Sequence, residues 1–266
     1  MRLVIQKYGG TSVGSVARLR AVAERVDRTR QRGIRIVVVV SAMASVTDKQ
    51  LDLAHTISAA PDGRELDRLL STGEMVSSAL TAMALQARGC PALSFTGHQA
   101  GIVTDDTYTA ARIQRIDTTR LHKALDKGYI PVVAGFQGEN AAHDVTTLGR
   151  GGSDLTAVAL AASLHADLCE IYTDVDGVYS DDPNLVPEAY RLDSISYDEM
   201  LEMARFGAKV LQARAVAFAK KYAVPVVVKS SFVDGPGTRV GHTSSTQAIP
   251  PAVDGSGELV GHTNRA

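Results

Sequence analysis

The chain has 266 residues, of which 45% are hydrophobic and 21% charged, and its formal net charge is -1. These values are ordinary for a globular protein and allow a large core. The near-neutral charge and the absence of Trp argue against the basic surface and stacking platforms of a nucleic-acid-binding protein. There is no Lys/Arg cluster for an anionic membrane and no apolar run of about 18 residues. The sequence therefore predicts neither a nucleic-acid nor a membrane partner.

Cysteine and histidine placement gives no sign of a disulfide or a metal site. Cys90 and Cys169 are far apart in the sequence and have apolar neighbours, and the seven histidines lack metal-ligand spacing. We expect two reduced core cysteines in a cytoplasmic protein, and no metal-binding residues. Because the N-terminus enters a strand directly, no signal peptide is expected.

Strand and helix patterns alternate along the chain. Short apolar runs predict strands at 3–8, 34–40, 92–95, 130–136, 168–172 and 224–229. Longer patterns predict helices at 15–30, 47–57, 62–88, 118–126, 153–165, 196–206 and 212–222. Loose alternation over 104–113 suggests an edge hairpin. The alternation predicts an α/β fold with a mostly parallel sheet, in one domain over 1–240 with a loose tail over 241–266.

The first strand ends at a lysine that is followed by a glycine-rich turn, KYGGTS at 7–12. A strand, a glycine turn and a helix together form an anion-binding cradle, because backbone N–H groups converge at the helix start. The segment is not a Walker A loop, since no Lys-Ser/Thr follows the second glycine. Lys7 could reach over the turn to a phosphate; the alternative is a solvated strand-end lysine. Ser41 ends the next strand, so it is expected at the same sheet edge as Lys7.

A second cradle is predicted at 147–154, with the sequence TLGRGGSD. The helix pattern that follows is small and apolar on every face, which is typical of a buried helix. Ser153 or Asp154 is placed to cap its start. Arg150 offers a fork for a carboxylate or phosphate, and Asp154 adds the opposite charge. This combination indicates small-molecule phosphate chemistry; the alternative is a loop that only turns the chain.

Two further segments carry polar groups near these cradles. In STGE at 71–74, a glycine inside a helical pattern indicates the close approach of another backbone or a ligand. Glu74 beside it could bind an ammonium group, or it could be an exposed helix glutamate. Thr173 and Asp174 end a strand and lead into a carboxylate-rich loop with a DG turn. Those carboxylates could help to hold Mg²⁺ or could serve only in turns.

Six segments together resemble the aspartate kinases, in that family's order and spacing over about residues 1–240. They are KYGGTS at 7–12, VSAM at 40–43, STGE at 71–74, GRGGSD at 149–154, YTDVDGVY at 172–179 and GAKV at 207–210. The resemblance implies the amino acid kinase fold, a three-layer αβα sandwich with an N-terminal aspartate lobe and a C-terminal ATP lobe. It also implies Mg²⁺-dependent transfer of phosphate from ATP to L-aspartate, giving 4-phospho-L-aspartate. This reaction is the first step towards lysine, threonine, methionine and diaminopimelate.

The resemblance also implies roles for individual residues. The catalytic group would be Lys7, Arg150 and Asp154. The nucleotide would contact Lys7, Tyr8, Gly9, Gly10, Ser41, Thr173, Asp174, Tyr179, Asp182 and Lys209. The amino acid would contact Thr47, Glu74, Arg150, Gly151, Gly152 and Ser153. No general base is assigned, because a carboxylate is already a nucleophile at neutral pH and phosphoryl transfer mainly needs positioning and positive charge.

The sequence departs from the family in two places. Family members often have DPR after the loop at Tyr179, whereas this chain has Asp182, Pro183 and Asn184, so a nucleotide contact is expected to be lost or replaced. Aspartate kinases commonly continue into two ACT domains that bind lysine or threonine. We expect this chain to lack them and to lack feedback inhibition. We also expect it to be a homodimer or the partner of a regulatory chain.

Two other readings stay open. The first is another kinase of the same fold, acting on acetylglutamate, glutamate, uridylate or carbamate. The second is a non-catalytic subunit that pairs with a full-length kinase. Glu74 and Arg150 favour aspartate over the related substrates, and an intact set of Lys7, Arg150 and Asp154 favours catalysis.

Overall fold

A computed structural model describes residues 2–183, 185–208 and 210–242. Within these ranges the strands are β1 (Leu3–Tyr8), β2 (Arg35–Val40), β3 (Ala92–Phe95), β4 (Ile102–Thr104), β5 (Ile113–Ile116), β6 (Ile130–Ala134), β7 (Gln137–Glu139), β8 (Val145–Thr147), β9 (Leu168–Thr173), β10 (Ser194–Ser196), β11 (Val226–Ser230) and β12 (Thr238–Gly241). The helices are α1 (Val16–Gln31), α2 (Val46–Ile57), α3 (Gly63–Gln86), α4 (Thr119–Asp126), α5 (Gly152–Ser163), α6 (Tyr197–Arg205) and α7 (Ala213–Tyr222). None of the described helices is both long enough and apolar enough to cross a membrane.

The main sheet has eight strands in the order β10-β12-β11-β9-β1-β2-β6-β3. Neighbouring strands are parallel except β11 and β12. Strand β2, with the sequence RIVVVV, is buried along all but its first residue, as expected for a central parallel strand covered on both faces. Strand β1 lies between β2 and β9, with Lys7 opposite Val39 and Ile171. The end of β1 therefore lies near the middle of the carboxyl edge of the sheet.

Helices cover both faces of this sheet, giving the predicted three-layer αβα arrangement. On one face, apolar residues of α1 and α3 pack against β1, β2 and β6 in one core cluster. On the other face, α4, α5, α6 and α7 share a second, larger cluster with the same sheet. The α/β prediction is confirmed, and the buried helix predicted after the glycine-rich turn is α5, whose residues Gly152 to Ala161 are all buried.

A second, four-stranded sheet in the order β5-β4-β7-β8 differs from the prediction. The expected hairpin over 104–113 is present as the antiparallel pair β4–β5, but it belongs to this separate sheet. Strands β7 and β8 have three residues each, which is too short for a period-two pattern to be recognised. For the site, the consequence is that only a short turn separates the end of β8 from the start of α5.

The last described strand is one that the sequence did not predict. β12 covers Thr238–Gly241 and pairs with β10 and β11. Residues 243–266 of the predicted tail lie outside the described part of the chain. β10 was also missed, because three residues give no periodic signal.

The starts of α1, α3 and α6 follow the capping rules, whereas the starts of α2, α4, α5 and α7 have no side-chain cap. Asp62 caps α3 through its side chain, and Ser196 with Glu199 forms the predicted capping box of α6. In α5, however, neither Ser153 nor Asp154 is the cap. The N-cap is Gly151 in the left-handed region with φ of 73°, a conformation that glycine adopts without a Cβ penalty. Ser153 and Asp154 therefore lie inside the first turn of α5.

Both cysteines are free and buried, as predicted. Burial raises the pKa of the Cys169 thiol far above its ordinary value. Cys90 donates its S–H to Asp27 at 3.1 Å. Each therefore behaves as a packing residue of the core.

Gly73→Ala is expected to destabilise the protein even though alanine is the better helix former. A Cβ at position 73 would lie 2.8 Å from the Cβ of Ala42 and 3.3 Å from Val46 Cγ1. Such overpacking costs about 1–3 kcal/mol, against a propensity gain of about 1 kcal/mol. Urea unfolding measures the balance, with Met83→Ala at an exposed position of α3 as the control. A net gain in stability would show that α3 moves away from Ala42 and α2 freely.

Candidate active site

A pocket of about 440 Å³ lies where the carboxyl ends of β1 and β2 meet α2, α3 and the start of α5. It brings together most of the residues predicted for catalysis and for amino acid binding: Lys7, Ser41, Thr47, Glu74, Arg150, Gly151, Gly152, Ser153 and Asp154. It is also lined by residues to which the sequence gave no individual role: Ala42, Asp48, Leu51, Leu66, Leu70, Thr109, Phe136, Thr147, Gly149 and Gln212. Of these, Thr147 and Gly149 belong to the predicted cradle at 147–154. Segments spread over more than half of the chain therefore converge on one concave site.

A buried ion pair lies in this pocket. Lys7 Nζ is 2.7 Å from Asp154 Oδ1, and the two side chains are 11% and 9% exposed. Lys7 is therefore not a solvated strand-end lysine. Since a charge taken out of water needs a close partner, Asp154 fixes the ammonium of Lys7 at the end of β1, where it faces the pocket.

The start of α5 adds further positive potential. N–H groups in the first turn of a helix have no partner within the helix, and the helix dipole places partial positive charge there. The first turn contains Gly152, Ser153 and Asp154. Arg150 is exposed beside it and has no ion-pair partner in the described ranges, so its guanidinium is available to an anionic ligand.

Glu74 supplies the opposite charge from α3. It is 3% exposed, and its Oε1 accepts a hydrogen bond from the Ala42 amide at 2.9 Å. Its Oε2 is buried and has no hydrogen-bond partner among the described residues. Burial raises the pKa of Glu74 to about 7, against the smaller opposing effect of the Ala42 amide. Asp154 Oδ1 also has no hydrogen-bond partner among the described residues, but it forms the ion pair with Lys7. Glu74 Oε2 has no such cation in the described residues, and a cationic ligand would supply one.

Phe136 lines the pocket and has a left-handed backbone conformation. It adopts φ of 70°, and its amide donates to Thr156 Oγ1 while its carbonyl accepts from the Leu148 amide. These two bonds hold a bulky residue in the left-handed region, which costs conformational energy. The sequence placed this residue at the end of a strand and gave no sign that its ring would line the pocket.

Four residues predicted for the nucleotide do not line the pocket and lie at the end of β9 or in the loop after it: Thr173, Asp174, Tyr179 and Asp182. Thr173 is the last residue of β9 and donates to Asp174. The hydroxyl of Tyr179 donates to Asp176 Oδ1 at 2.9 Å. Asp174 and Asp182 are exposed. Because β9 is next to β1, this group and the turn after Lys7 share one sheet edge.

Tyr8 and Gly9, two of the predicted nucleotide contacts, also make contacts within the fold. The Tyr8 ring is buried and stacks on Tyr172 with 4.8 Å between ring centroids, so its side chain faces the core. The Gly9 amide donates to the Tyr172 carbonyl at 3.1 Å, so this donor has a partner within the fold. Lys209 and Asn184 lie outside the described residues.

A pair of serines joins the turn after β1 to the strands beside it. Ser12 Oγ donates to Ser231 Oγ at 2.7 Å, and the amide and hydroxyl of Ser231 donate to the Thr173 carbonyl. These contacts connect the ends of β1, β9 and β11. The sequence could not reveal them, because the strand order that places β11 beside β9 is not readable from the chain.

The fold and the pocket together define the class of protein. A sequence model of the amino acid kinase family matches residues 2–230, and this chain belongs to that family. An aspartate kinase of Stutzerimonas stutzeri (strain A1501) is 57% identical over 240 residues, covering 90% of this chain and 58% of that protein. The chain thus spans about three fifths of the length of the curated relatives that it matches.

Solved structures give the same assignment. The crystal structure of aspartate kinase from Synechocystis superposes with a TM-score of 0.82 and 51% identity, covering 92% of this chain and 40% of that one. Aspartokinase III of E. coli, in complex with aspartate and ADP, gives a TM-score of 0.83 at 29% identity, covering 92% of this chain and 66% of that one. The architecture described above is therefore the amino acid kinase fold.

Proposed function

We propose that this chain transfers a phosphoryl group from ATP to the side-chain carboxylate of L-aspartate, giving 4-phospho-L-aspartate and ADP. The observation that carries the proposal is the buried Oε2 of Glu74, which has no hydrogen-bond donor in the described chain and lines the same pocket as Lys7 and Arg150. An α-ammonium group fits this oxygen. The similarity to aspartate kinases, one of them in complex with aspartate and ADP, supports the same substrate pair.

The charges of the pocket favour an amino acid over the other substrates of the fold. A free ammonium can pair with Glu74, whereas an N-acetyl group turns that nitrogen into a neutral amide. Uridylate and carbamate offer no ammonium either. Arg150 and the start of α5 suit the carboxylates of the substrate, since a guanidinium fork matches a carboxylate geometrically. Glutamate also satisfies these charges and is separated from aspartate only by length.

Phosphoryl transfer requires no covalent intermediate with the protein. The substrate carboxylate is ionised at neutral pH and attacks the γ-phosphorus, while the bond from phosphorus to the bridging oxygen of ADP breaks. Lys7 neutralises charge on the transferring group, and Asp154 keeps the Lys7 ammonium in place. Ser41 and the Gly10 amide line the turn where phosphate oxygens would lie. This arrangement is electrostatic stabilisation at the position where charge gathers.

The nucleotide would lie along the β9 edge, against Thr173, Asp174, Tyr179 and Asp182, with Lys209 as a further proposed contact. Mg²⁺ is part of the proposal, carried by the phosphates. The described residues contain no group of three His, Cys, Asp or Glu side chains that could hold a metal ion, and Mg²⁺ commonly keeps waters and binds through substrate phosphates. On this view the protein binds the metal with the nucleotide rather than before it.

We also propose that the protein acts in the cytoplasm in amino-acid biosynthesis, as a homodimer or with a regulatory chain. The two free, buried thiols suit a reducing compartment. Light scattering on the purified chain measures the assembly directly.

The proposal is tested by trapping the acyl phosphate with hydroxylamine in the presence of Mg-ATP. L-Aspartate, L-glutamate and N-acetylglutamate are offered in parallel to the same preparation. We expect hydroxamate from aspartate alone, because aspartate carries the ammonium that Glu74 needs and the shorter side chain. Product from N-acetylglutamate, or no product from a folded sample that binds ATP, would overturn the proposal.

A further inference from the structure

Asp67 is a buried carboxylate that the proposed chemistry does not use. It lies on α3, two turns before Glu74 and on the same helix face, and is 0% exposed. Its Oδ2 accepts from the amides of Thr109 and Thr147, at 2.9 Å each, and its Oδ1 accepts from the Thr147 hydroxyl. Three donors from two distant segments therefore converge on one carboxyl group.

Both of these threonines line the pocket. Thr109 has φ of 66°, which is a strained conformation for a β-branched residue and persists only where the surroundings hold it. The hydrogen bond that the Thr109 amide donates to Asp67 is one such restraint. Thr147 is the last residue of β8, so its position decides where the glycine-rich turn leaves the sheet.

Arg214 holds the same two segments from α7. Its guanidinium donates to the carbonyls of Leu148 and Ala111, and the Ala111 amide donates to the Thr147 carbonyl at 2.9 Å. The turn that carries Arg150 is therefore held where it begins, by Asp67 on α3 and by Arg214 on α7. Arg150 itself has no ion pair within the described ranges, so its location depends on how the start of this turn is held.

We propose that Asp67 is a positioning residue that sets the place of Arg150 over the substrate pocket by holding Thr147 and Thr109. The inference rests on the proposed function, since it assigns Arg150 to the substrate carboxylate. An aspartate is needed because all three partners are donors, and a carboxylate offers acceptors only. Asparagine has the same size but would turn an NH₂ group towards these donors.

Asp67→Asn is therefore expected to raise KM for L-aspartate roughly tenfold or more, while KM for ATP stays within about twofold. Two controls separate positioning from general loss of stability. Thr81→Val removes a hydrogen bond to the Ser77 carbonyl within the same helix, and Leu85→Ala opens the core cluster that packs against the last turn of α3. Neither is expected to change KM for aspartate selectively. A similar selective rise in Leu85→Ala would overturn the proposal.

A second readout does not depend on activity. Hydrogen exchange of the Thr109 and Thr147 amides should accelerate in Asp67→Asn, but not in Thr81→Val. Trypsin should also cut faster after the exposed Arg150 in Asp67→Asn only. If the wild-type chain phosphorylates no amino acid, the proposed function fails, and these two measurements alone decide whether Asp67 holds the turn. Unchanged exchange and unchanged cleavage would overturn the inference in either case.

Discussion

Replacing Lys7 with methionine is expected to lower kcat by about three orders of magnitude or more, by analogy with cations that stabilise the transition state of phosphoryl transfer. The Lys7 ammonium lies at the end of β1, held 2.7 Å from Asp154, and lines the pocket. Its loss removes positive charge where three phosphate oxygens gather. Initial rates of ADP formation at saturating aspartate and ATP measure the effect.

The single variant also leaves Asp154 buried without its partner, which costs about 3–5 kcal/mol when the pair is buried. The double variant Lys7→Met/Asp154→Asn removes that orphaned charge and restores a stable fold for the same measurement. Lys220→Met is the matched control, since it breaks an ion pair with Asp198 on the surface and should leave kcat unchanged. A folded double variant that keeps turnover within tenfold of the wild type would remove Lys7 from the mechanism.

The sequence predicted which edge of the sheet carries the pocket better than it predicted the contacts that hold the pocket together. The short apolar runs over 3–8 and 34–40 predicted parallel strands whose carboxyl ends meet near Lys7 and Ser41, and the pocket lies at that edge. The apolar pattern after Asp154 predicted a buried helix, and α5 is buried. These predictions succeeded because periodicity and strand-end rules act over a few residues.

What the sequence could not reveal depends on contacts between distant segments. Asp67 has the appearance of an ordinary helix carboxylate, and only the fold brings Thr109 and Thr147, 42 and 80 residues away, to its oxygens. Strand order is equally hidden, so the Ser12–Ser231 contact could not be foreseen. The N-cap of α5 was misplaced because Ser153 is a good capping residue, whereas the tight approach of Gln212 leaves room only for glycine at 151.

Glu74→Gln is the second variant with a large expected effect, and it should weaken substrate binding while stabilising the protein. Loss of the anion removes the partner proposed for the substrate ammonium, so KM for L-aspartate is expected to rise about 10- to 100-fold. Steady-state kinetics measure this rise, with ATP saturating. Glu24→Gln, on an exposed face of α1, is the matched control for removing a glutamate charge and should leave KM unaltered.

The stability effect follows from the pKa of Glu74, which burial raises from 4.5 to about 7. Between these values the folded protein keeps a proton that the unfolded chain has lost, so the free energy of unfolding falls as pH rises through this window. A shift of this size corresponds to at most about 3 kcal/mol. Glutamine cannot ionise, so the variant should gain stability relative to the wild type from pH 4.5 to pH 8. Urea unfolding across that range measures the gain, and a constant difference would contradict it.

The same carboxyl group connects substrate binding to pH. An ammonium pairs with ionised Glu74 only, so aspartate binding should release a proton from those molecules in which Glu74 is still protonated near pH 6.5. Calorimetric titration in two buffers of different ionisation enthalpy counts that proton, and Glu74→Gln should release none. Equal proton release from the wild type and the variant would place the ammonium of the substrate away from α3, and would require a different anion to receive it.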